Sequence, residues 1–209
     1  LGVMVCEDMW TAPVSRHLAQ QGAEILLVIN GSPFETDKTE TRFELASRRV
    51  ADTGLPLLYV NLVGGQDELV FDGASFAVEP SRGLAFRAPS WRPGVTGTRW
   101  LKEQAGWRCE AAVAPQAGGV EAIYLAMLLG LRDYVGKNGF PGVVIGMSGG
   151  IDSALSAAVA VDALGPERVR LVMMPSPYTS QHSLDDAAEA AALLGARIDQ
   201  VGIAPAMGA

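Results

Sequence analysis

A short stretch of serine, glycine and aspartate in the second half of the chain has the composition of an anion-binding loop. It runs Ser148-Gly149-Gly150-Ile151-Asp152-Ser153. Glycines adopt backbone conformations closed to other residues and leave the amides open to a ligand. Where a helix follows, the free N–H groups of its first turn and its dipole favour an anion. The pattern predicts a phosphate-binding loop in which the two serines add hydroxyl donors and Asp152 holds Mg²⁺ against phosphate oxygens.

Glycines between a strand and a helix also have a simpler explanation. They pack tight turns, and Asp152 or Ser153 would then be an ordinary helix N-cap. The stretch is not a Walker A loop, because the Gly-Lys-Ser/Thr ending is missing. Two serines and an aspartate at this spacing, together with both glycines, favour the phosphate interpretation.

A second reactive residue, Cys6, follows an apolar run and precedes two carboxylates, Glu7 and Asp8. A thiol at the end of a strand is a nucleophile when a base and a cation lie nearby. A lone cysteine beside an apolar strand is more commonly a small core residue. The residues alone leave both possibilities open. The other cysteine, Cys109, matches no motif and is predicted to be structural.

The composition is that of a folded protein with a net negative charge. Of the 209 residues, 49% are hydrophobic and 19% are charged, and the formal net charge is −7. This balance argues against nucleic-acid binding, because phosphate backbones select surfaces rich in Lys and Arg. The sequence contains no apolar run long enough to span a membrane and no signal-peptide pattern. Two cysteines are too few for a disulfide framework, so a cytoplasmic location is predicted.

Both reactive stretches lie in an alternation of strands and helices. The apolar runs at 1–5 and 25–29 are typical of strands covered on both faces. For the rest of the first half, the pattern predicts helices at 14–21 and 38–52, a strand at 57–61, and a hairpin of 74–79 and 84–87 that turns at Pro80-Ser81-Arg82-Gly83.

The second half begins after residues 88–118, where glycines and prolines would break any long element. Beyond this segment the pattern predicts a helix from Val120 to Val135, a strand at 142–146, a helix at 153–164, a strand at 169–174, and a helix at 184–194 with Ser183 and Asp186 as its capping box. This order predicts an α/β protein with a parallel, doubly wound sheet. We expect domains at 1–105 and 119–209, joined by a linker at 106–118.

The glycine-rich loop and the following strand resemble those of one enzyme group. Gly146-Met147-Ser148-Gly149-Gly150-Ile151-Asp152-Ser153 looks like the PP-loop of the ATP pyrophosphatases, which include NAD, GMP and asparagine synthetases. Val172-Met173-Met174-Pro175-Ser176-Pro177-Tyr178-Thr179-Ser180 resembles the second ATP-contacting segment of NAD synthetases. The resemblance implies these ATP-binding residues: Gly146, Met147, Ser148, Gly149, Gly150, Ile151, Asp152, Ser153 and Met174.

The first half is similar to the nitrilase-like glutaminase domain of glutamine-dependent NAD synthetases. A Cys-Glu-Asp-x-Trp motif begins at Cys6, an Asn-x-Ser-Pro motif contains Ser32, and residues 59–73 match a long, specific stretch. The resemblance implies that Cys6 is the catalytic nucleophile and that Glu7, Ser32 and Lys38 bind glutamine. In this family the glutamate base and the lysine of the catalytic triad precede the cysteine by many residues, so neither is in this chain.

The resemblance covers nearly the whole chain. It implies the C-terminal part of an αββα nitrilase-like sandwich followed by the first part of a PP-loop domain. The implied reaction joins ammonia from glutamine to deamido-NAD and consumes ATP with Mg²⁺, so the expected partners are small molecules and not nucleic acids or membranes. We also expect a homo-oligomer at full length. Because the chain starts without Met inside one predicted strand and stops just after another, we expect a fragment that need not be active alone.

Two alternatives remain open. One is another PP-loop amidotransferase, such as a GMP synthetase-like enzyme, although those enzymes use unrelated glutaminase domains. The other is a non-catalytic nucleotide-binding module, which the two missing triad members would favour.

Overall fold

The computed structural model describes residues 1–81, 83–104 and 106–207. The chain divides into two compact units, Leu1–Ala126 and Met127–Ala209, and each is described by itself. Arg82, in the predicted hairpin turn, and residue 105, the predicted domain boundary, lie outside the described residues. None of the helices in the described part of the chain combines the length and the hydropathy that crossing a bilayer requires.

The first unit is built on a five-stranded mixed sheet. Its strands follow the order β1-β2-β3-β6-β7, in which β1, β2 and β3 are parallel and β6 and β7 are antiparallel to their neighbours. Two further hairpins, β4-β5 and β8-β9, complete the unit. The strand bounds are β1 Gly2–Val5, β2 Leu26–Asn30, β3 Leu57–Asn61, β4 Val63–Gln66, β5 Leu69–Asp72, β6 Phe76–Glu79, β7 Gly83–Arg87, β8 Arg99–Glu103 and β9 Gly106–Glu110.

Two amphipathic helices, α1 (Ala12–Gln20) and α2 (Lys38–Thr53), cover one face of this sheet. Helix α2 ends where Gly54 takes a left-handed conformation, φ 68°, which glycine adopts without strain. Apolar side chains of both helices pack on alternate residues of the parallel strands, since successive strand residues point to opposite faces. These helices confirm the predictions at 14–21 and 38–52.

The opposite face of the parallel strands differs from the prediction. Strand β1 alternates between buried and exposed residues: Met4 is buried, whereas Val3 and Val5 are 50% and 60% exposed. Ile29 of β2 is exposed on the same face. Among the described residues no element covers this face, and an unbroken apolar run does not record which part of a protein covers each face.

The glycine- and proline-rich stretch contains more structure than predicted. Strands β8 and β9 pair as a hairpin, and Cys109 on β9 is buried, with its N–H donating to the buried carboxylate of Glu79. Cys109 thus packs in the core beside β6 and β7. Strand β9 occupies the first residues of the interval 106–118. The domain and linker bounds themselves stay a prediction.

The second unit contains a parallel three-stranded sheet in the order β10-β11-β12. Helix α3 spans the division between the two units, and α4 and α5 pack on the sheet through buried alanines such as Ala157 and Ala187. The strands are β10 Val143–Met147, β11 Val169–Met173 and β12 Arg197–Gln200, and the helices are α3 Gly119–Lys137, α4 Ile151–Leu164, α5 Gln181–Leu194 and α6 Ala204–Met207. The predicted alternation of strands and helices and the parallel pairing are confirmed.

Two helix starts differ from the predictions. Helix α4 begins at Ile151, two residues before the predicted start. Helix α5 begins at Gln181, because Ser180 is its N-cap: the Ser180 hydroxyl accepts a hydrogen bond of 3.1 Å from the N–H of Ser183. The capping box predicted from Ser183 and Asp186 is therefore wrong. Both helices start closer to the strands that precede them: residues 148–150 separate β10 from α4, and residues 174–180 separate β11 from α5.

Candidate functional sites

Cys6 lies at the point where strand β1 gives way to a short 3₁₀ turn, Cys6–Met9. Its backbone has φ 49°, in the left-handed region that residues other than glycine rarely adopt. The turn is fixed by the N–H of Val5, which donates to the Asp8 carboxylate at 2.9 Å. Strained backbone of this kind is concentrated at functional sites. The conformation therefore supports the functional interpretation of Cys6 over the structural one.

Cys6 lines a cavity of about 500 Å³. The cavity also contains the other three residues predicted to bind glutamine, Glu7, Ser32 and Lys38, which come from three different segments. The structure thus brings the predicted set together around the thiol. Other lining residues were not predicted, among them Trp10, Asn30, Arg42 and Tyr59.

Ser32 is held by the end of strand β3. The Asn61 amide accepts from the N–H of Ser32 at 2.9 Å and donates to the Ser32 carbonyl at 3.1 Å. Asn61 pairs with Asn30 in the parallel ladder, and the Asn30 amide donates to the carbonyl of Val28. Asn61 thus fixes the backbone of the loop that carries Ser32, while the Asn30 amide bonds to its own strand, β2, and to the neighbouring strand, β3.

Arg42 is the main contact that the sequence interpretation missed. It is only 4% exposed, and its Nη1 donates to both oxygens of Asp72, at 2.8 and 3.0 Å. Its Nη2 donates to the carbonyls of Ser32 and Pro33, and its Nε donates to the Ser32 hydroxyl at 3.1 Å. One signal was available: Arg42 lies four residues before Ala46, and in a helix residues four apart lie on the same face.

Lys38, at the start of α2, has a surface partner. Its ammonium lies 2.7 Å from the carboxylate of Glu35, which is mostly exposed to solvent. Exposed ion pairs contribute little to the stability of the fold. The Lys38 ammonium can therefore exchange Glu35 for the carboxylate of a ligand. The position of Lys38 on the cavity wall is compatible with its predicted role.

Tyr59 forms the buried side of the same cavity. Burial raises the pKa of its phenol, while a hydrogen bond to Ser32 and the charge of Arg42 oppose that rise. The phenol is therefore neutral at physiological pH and interacts with the Ser32 side chain.

The glycine-rich loop of the second unit lies between β10 and α4. Gly149 has φ 80°, and a Cβ placed there would lie 2.3 Å from the carbonyl oxygen of Ser183. Only glycine fits this position, because the start of α5 packs directly against the loop. The segment after β11 is also close, since a Cβ on Gly146 would meet the Met174 side chain at 3.2 Å.

The loop hydroxyls hydrogen-bond within the loop. Ser148 Oγ accepts from the N–H of Gly150 at 3.2 Å, and Ser153 Oγ accepts from the N–H of Ser148 at 3.2 Å and donates to the carbonyl of Gly150 at 2.9 Å. The side chains of Ile151 and Asp152 are exposed in the first turn of α4. Since first-turn N–H groups have no partner within their own helix, the loop offers donors to an anion from solvent.

A metal site made by protein groups alone is not found in the described residues, where no cluster of three or more His, Cys, Asp or Glu side chains could hold an ion. Asp152 stands as a single exposed carboxylate. Mg²⁺ is commonly held by one or two carboxylates together with phosphate oxygens of a substrate. The donor set therefore fits Mg²⁺ only in the presence of a bound phosphate.

Comparison with protein families gives two matches that together span both units. The carbon-nitrogen hydrolase family model matches residues 1–98. The NAD synthase family model matches residues 123–209. The cysteine cavity falls within the first match and the glycine-rich loop within the second.

Individual relatives cover both regions at once. A glutamine-dependent NAD(+) synthetase of Rhodobacter capsulatus is 53% identical over 205 residues, a match that covers 97% of this chain and 37% of that protein. One of Acinetobacter baylyi is 40% identical over 194 residues. The chain thus spans less than two fifths of the length of these relatives.

Solved structures agree. The glutamine-dependent NAD+ synthetase of Acinetobacter baumannii in complex with ADP aligns with a TM-score of 0.91 at 40% identity, over 99% of this chain and 39% of that chain. A glutamine-dependent NAD(+) synthetase from Cytophaga hutchinsonii aligns with a TM-score of 0.74 at 18% identity, which shows a shared fold.

Proposed function

We propose that the chain is part of a glutamine-dependent NAD(+) synthetase, as its relatives and both family matches support, and that the whole protein amidates deamido-NAD with ammonia taken from glutamine. It is a carbon–nitrogen ligase that consumes ATP and releases AMP and pyrophosphate. The chain spans only about 37% of its relative's length. Its own contribution is the thiol and pocket of the glutaminase site and the ATP loop of the synthetase site.

In the glutaminase site, Cys6 is the nucleophile. Its Sγ attacks the side-chain amide carbon of glutamine, the C–N bond breaks, and ammonia leaves with the proton that the thiol gave up to a base. Water then hydrolyses the thioester, which yields glutamate and restores the thiol. Glu7, Ser32 and Lys38 bind the glutamine, and their position in one cavity with Cys6 supports this assignment. The base is the glutamate that the resemblance places before Cys6.

In the synthetase site, the loop from Gly146 to Ser153 and Met174 bind ATP. A carboxylate is a poor electrophile, so the carboxylate of deamido-NAD first attacks the α-phosphorus of ATP and pyrophosphate leaves. The N–H groups of the first turn of α4 and the hydroxyls of Ser148 and Ser153 hold the departing pyrophosphate. Asp152 would hold Mg²⁺, which would supply positive charge to offset that of the phosphates. Ammonia then displaces AMP and forms the amide.

We further propose the division into a glutaminase domain at 1–105, a linker at 106–118 and an ATP-binding domain at 119–209. The family matches at 1–98 and 123–209 support it. Two free cysteines are compatible with the proposed cytoplasmic location. A homo-oligomeric full-length protein is also proposed, and a mass measurement in solution tests it.

The observation that carries the proposal is that one chain contains both the Cys6 cavity and the glycine-rich loop. The cavity lies within the carbon-nitrogen hydrolase match and the loop within the NAD synthase match.

The test is AMP release by the full-length protein from ATP and deamido-NAD, with glutamine or ammonium as the nitrogen source. We expect AMP and NAD(+) in equal amounts with either source. No AMP with either source would contradict the synthetase function, and AMP with ammonium alone would contradict the glutaminase function.

A further inference from the structure

All three nitrogens of the Arg42 guanidinium have partners within the protein. Nη1 donates to Asp72 and Nε donates to the Ser32 hydroxyl. Nη2 donates to the carbonyls of Ser32 and Pro33. Although Arg42 lies on the wall of the Cys6 cavity, its contacts are therefore spent within the protein.

The charge of Arg42 is also balanced within the protein. Asp72 is 3% exposed and accepts from Arg42 through both carboxylate oxygens. Contacts at all three nitrogens fix the plane of the guanidinium as well as its position. Together they hold the Nε–H of Arg42 in a fixed direction toward Ser32.

This arrangement decides which way the Ser32 hydroxyl can point. A hydroxyl has one proton and two acceptor lone pairs, and arginine has no acceptor. Ser32 Oγ must therefore accept from Arg42, and its own proton points away from Arg42. The neutral Tyr59 phenol also hydrogen-bonds with Ser32, and as a donor to the second lone pair it leaves the Ser32 proton for a ligand. The backbone on both sides is fixed as well, because Asn61 holds the N–H and the carbonyl of Ser32.

We propose that Arg42, anchored by Asp72, is a positioning residue that presents the Ser32 hydroxyl as a hydrogen-bond donor to an acceptor oxygen of the amide substrate in the Cys6 cavity. This inference rests on the proposed glutaminase function. Because the Ser32 hydroxyl donates, its partner on the substrate is a carboxylate or carbonyl oxygen. The amino and amide N–H groups of the substrate are donors themselves and cannot take this place. Arg42 acts through Ser32 and does not itself touch the substrate.

The test is a double-mutant cycle in the full-length protein with Arg42→Lys, Ser32→Ala and the double variant. Lysine keeps a positive charge beside Asp72, but its single ammonium cannot contact Asp72 and also donate a hydrogen bond to the Ser32 hydroxyl. Arg48→Lys is the matched control, because Arg48 lies on the same helix, is exposed and pairs with exposed Glu44. The KM for glutamine and kcat are measured for each variant, together with ammonium-driven turnover and the thermal midpoint.

We expect Arg42→Lys and Ser32→Ala each to raise the KM for glutamine about tenfold, the loss of one directed hydrogen bond. Ammonium-driven turnover and the Arg48→Lys control stay at the wild-type level. In the Ser32→Ala background, Arg42→Lys adds less than about twofold, because the group through which it acts is gone.

Equal effects of Arg42→Lys in both backgrounds would overturn the inference. If Arg42→Lys does not fold, Ser32→Ala still decides, because it leaves the Arg42–Asp72 pair in place: an unchanged KM for glutamine would overturn the inference. Failure of the proposed function is a separate result, since it shows as a wild-type protein that does not use glutamine at all.

Discussion

The Cys6 cavity and the glycine-rich loop hold their reactive groups in opposite ways. Around the cavity, the contacts that hold Ser32 join residues far apart in sequence, and they depend on the buried pair of Arg42 with Asp72, thirty positions away. In the loop, the hydrogen bonds of Ser148 and Ser153 span five residues or fewer and are exposed. The first site is built by tertiary structure and the second mainly by local backbone conformation.

This difference bears on what each site does. Glutamine must be held beside a thiol while a covalent bond forms, which requires side chains fixed before binding. A pyrophosphate is held by amides and hydroxyls that are already at a helix start, and these can exchange their local partners for the ligand. Removing a buried charge should therefore damage the cavity. Adding a side-chain atom where the backbone is closely packed should damage the loop.

The largest expected effect is that of Gly149→Ala in the loop. A Cβ there would lie 2.3 Å from the Ser183 carbonyl oxygen at a φ of 80°, so the loop or the start of α5 must move. We expect turnover with glutamine and with ammonium to fall about a hundredfold or more, because both routes need the ATP site.

Gly165→Ala is the control for this substitution. Gly165 has a similar φ of 84°, but nothing lies within 4 Å of the position that its Cβ would occupy. It therefore has only the conformational cost, about 1–3 kcal/mol of stability, and turnover per folded protein stays near the wild-type value. Equal losses of turnover in the two variants would show that the contact with Ser183 is not what matters.

The next largest effect is expected for Asp72→Asn in the cavity region. It leaves the buried charge of Arg42 without its partner, so the free energy of unfolding in urea should fall by about 3 kcal/mol. Glu44→Gln, which breaks an exposed pair with Arg48, should change it by less than about 1 kcal/mol. A fall as small as that of the control would mean that the cavity does not depend on buried charge.

The smallest effect concerns Tyr59 and alkaline pH. Burial raises the pKa of its phenol, so above about pH 10 the unfolded chain releases this proton while the folded protein keeps it. Stability should therefore decline as the pH rises through this range, by up to about 1.4 kcal/mol per pH unit from this residue. Tyr59→Phe should reduce the decline, and Tyr178→Phe, an exposed tyrosine, should not. Identical pH profiles for both variants would count against the burial effect.

The sequence predicted what is local and missed what is not. The loop at 148–153 and the strand before Cys6 could be predicted because their chemistry lies in consecutive residues. Ser32 and Lys38 could be assigned only by resemblance. Arg42, Asp72 and Asn61 could not be joined, since no local pattern records that residues some thirty positions apart meet. The exposed face of β1 was missed for the same reason, because Val3 and Val5 are as apolar as core residues.

The central claim is a division of labour between the two sites, and Cys6→Ala in the full-length protein tests it most directly. NAD(+) formation is measured with glutamine and then with ammonium as the nitrogen source. The account predicts that glutamine-driven formation is abolished, because the nucleophile is gone, while ammonium-driven formation persists at the wild-type rate. Loss of both in a folded variant, or retention of glutamine-driven formation, would contradict it.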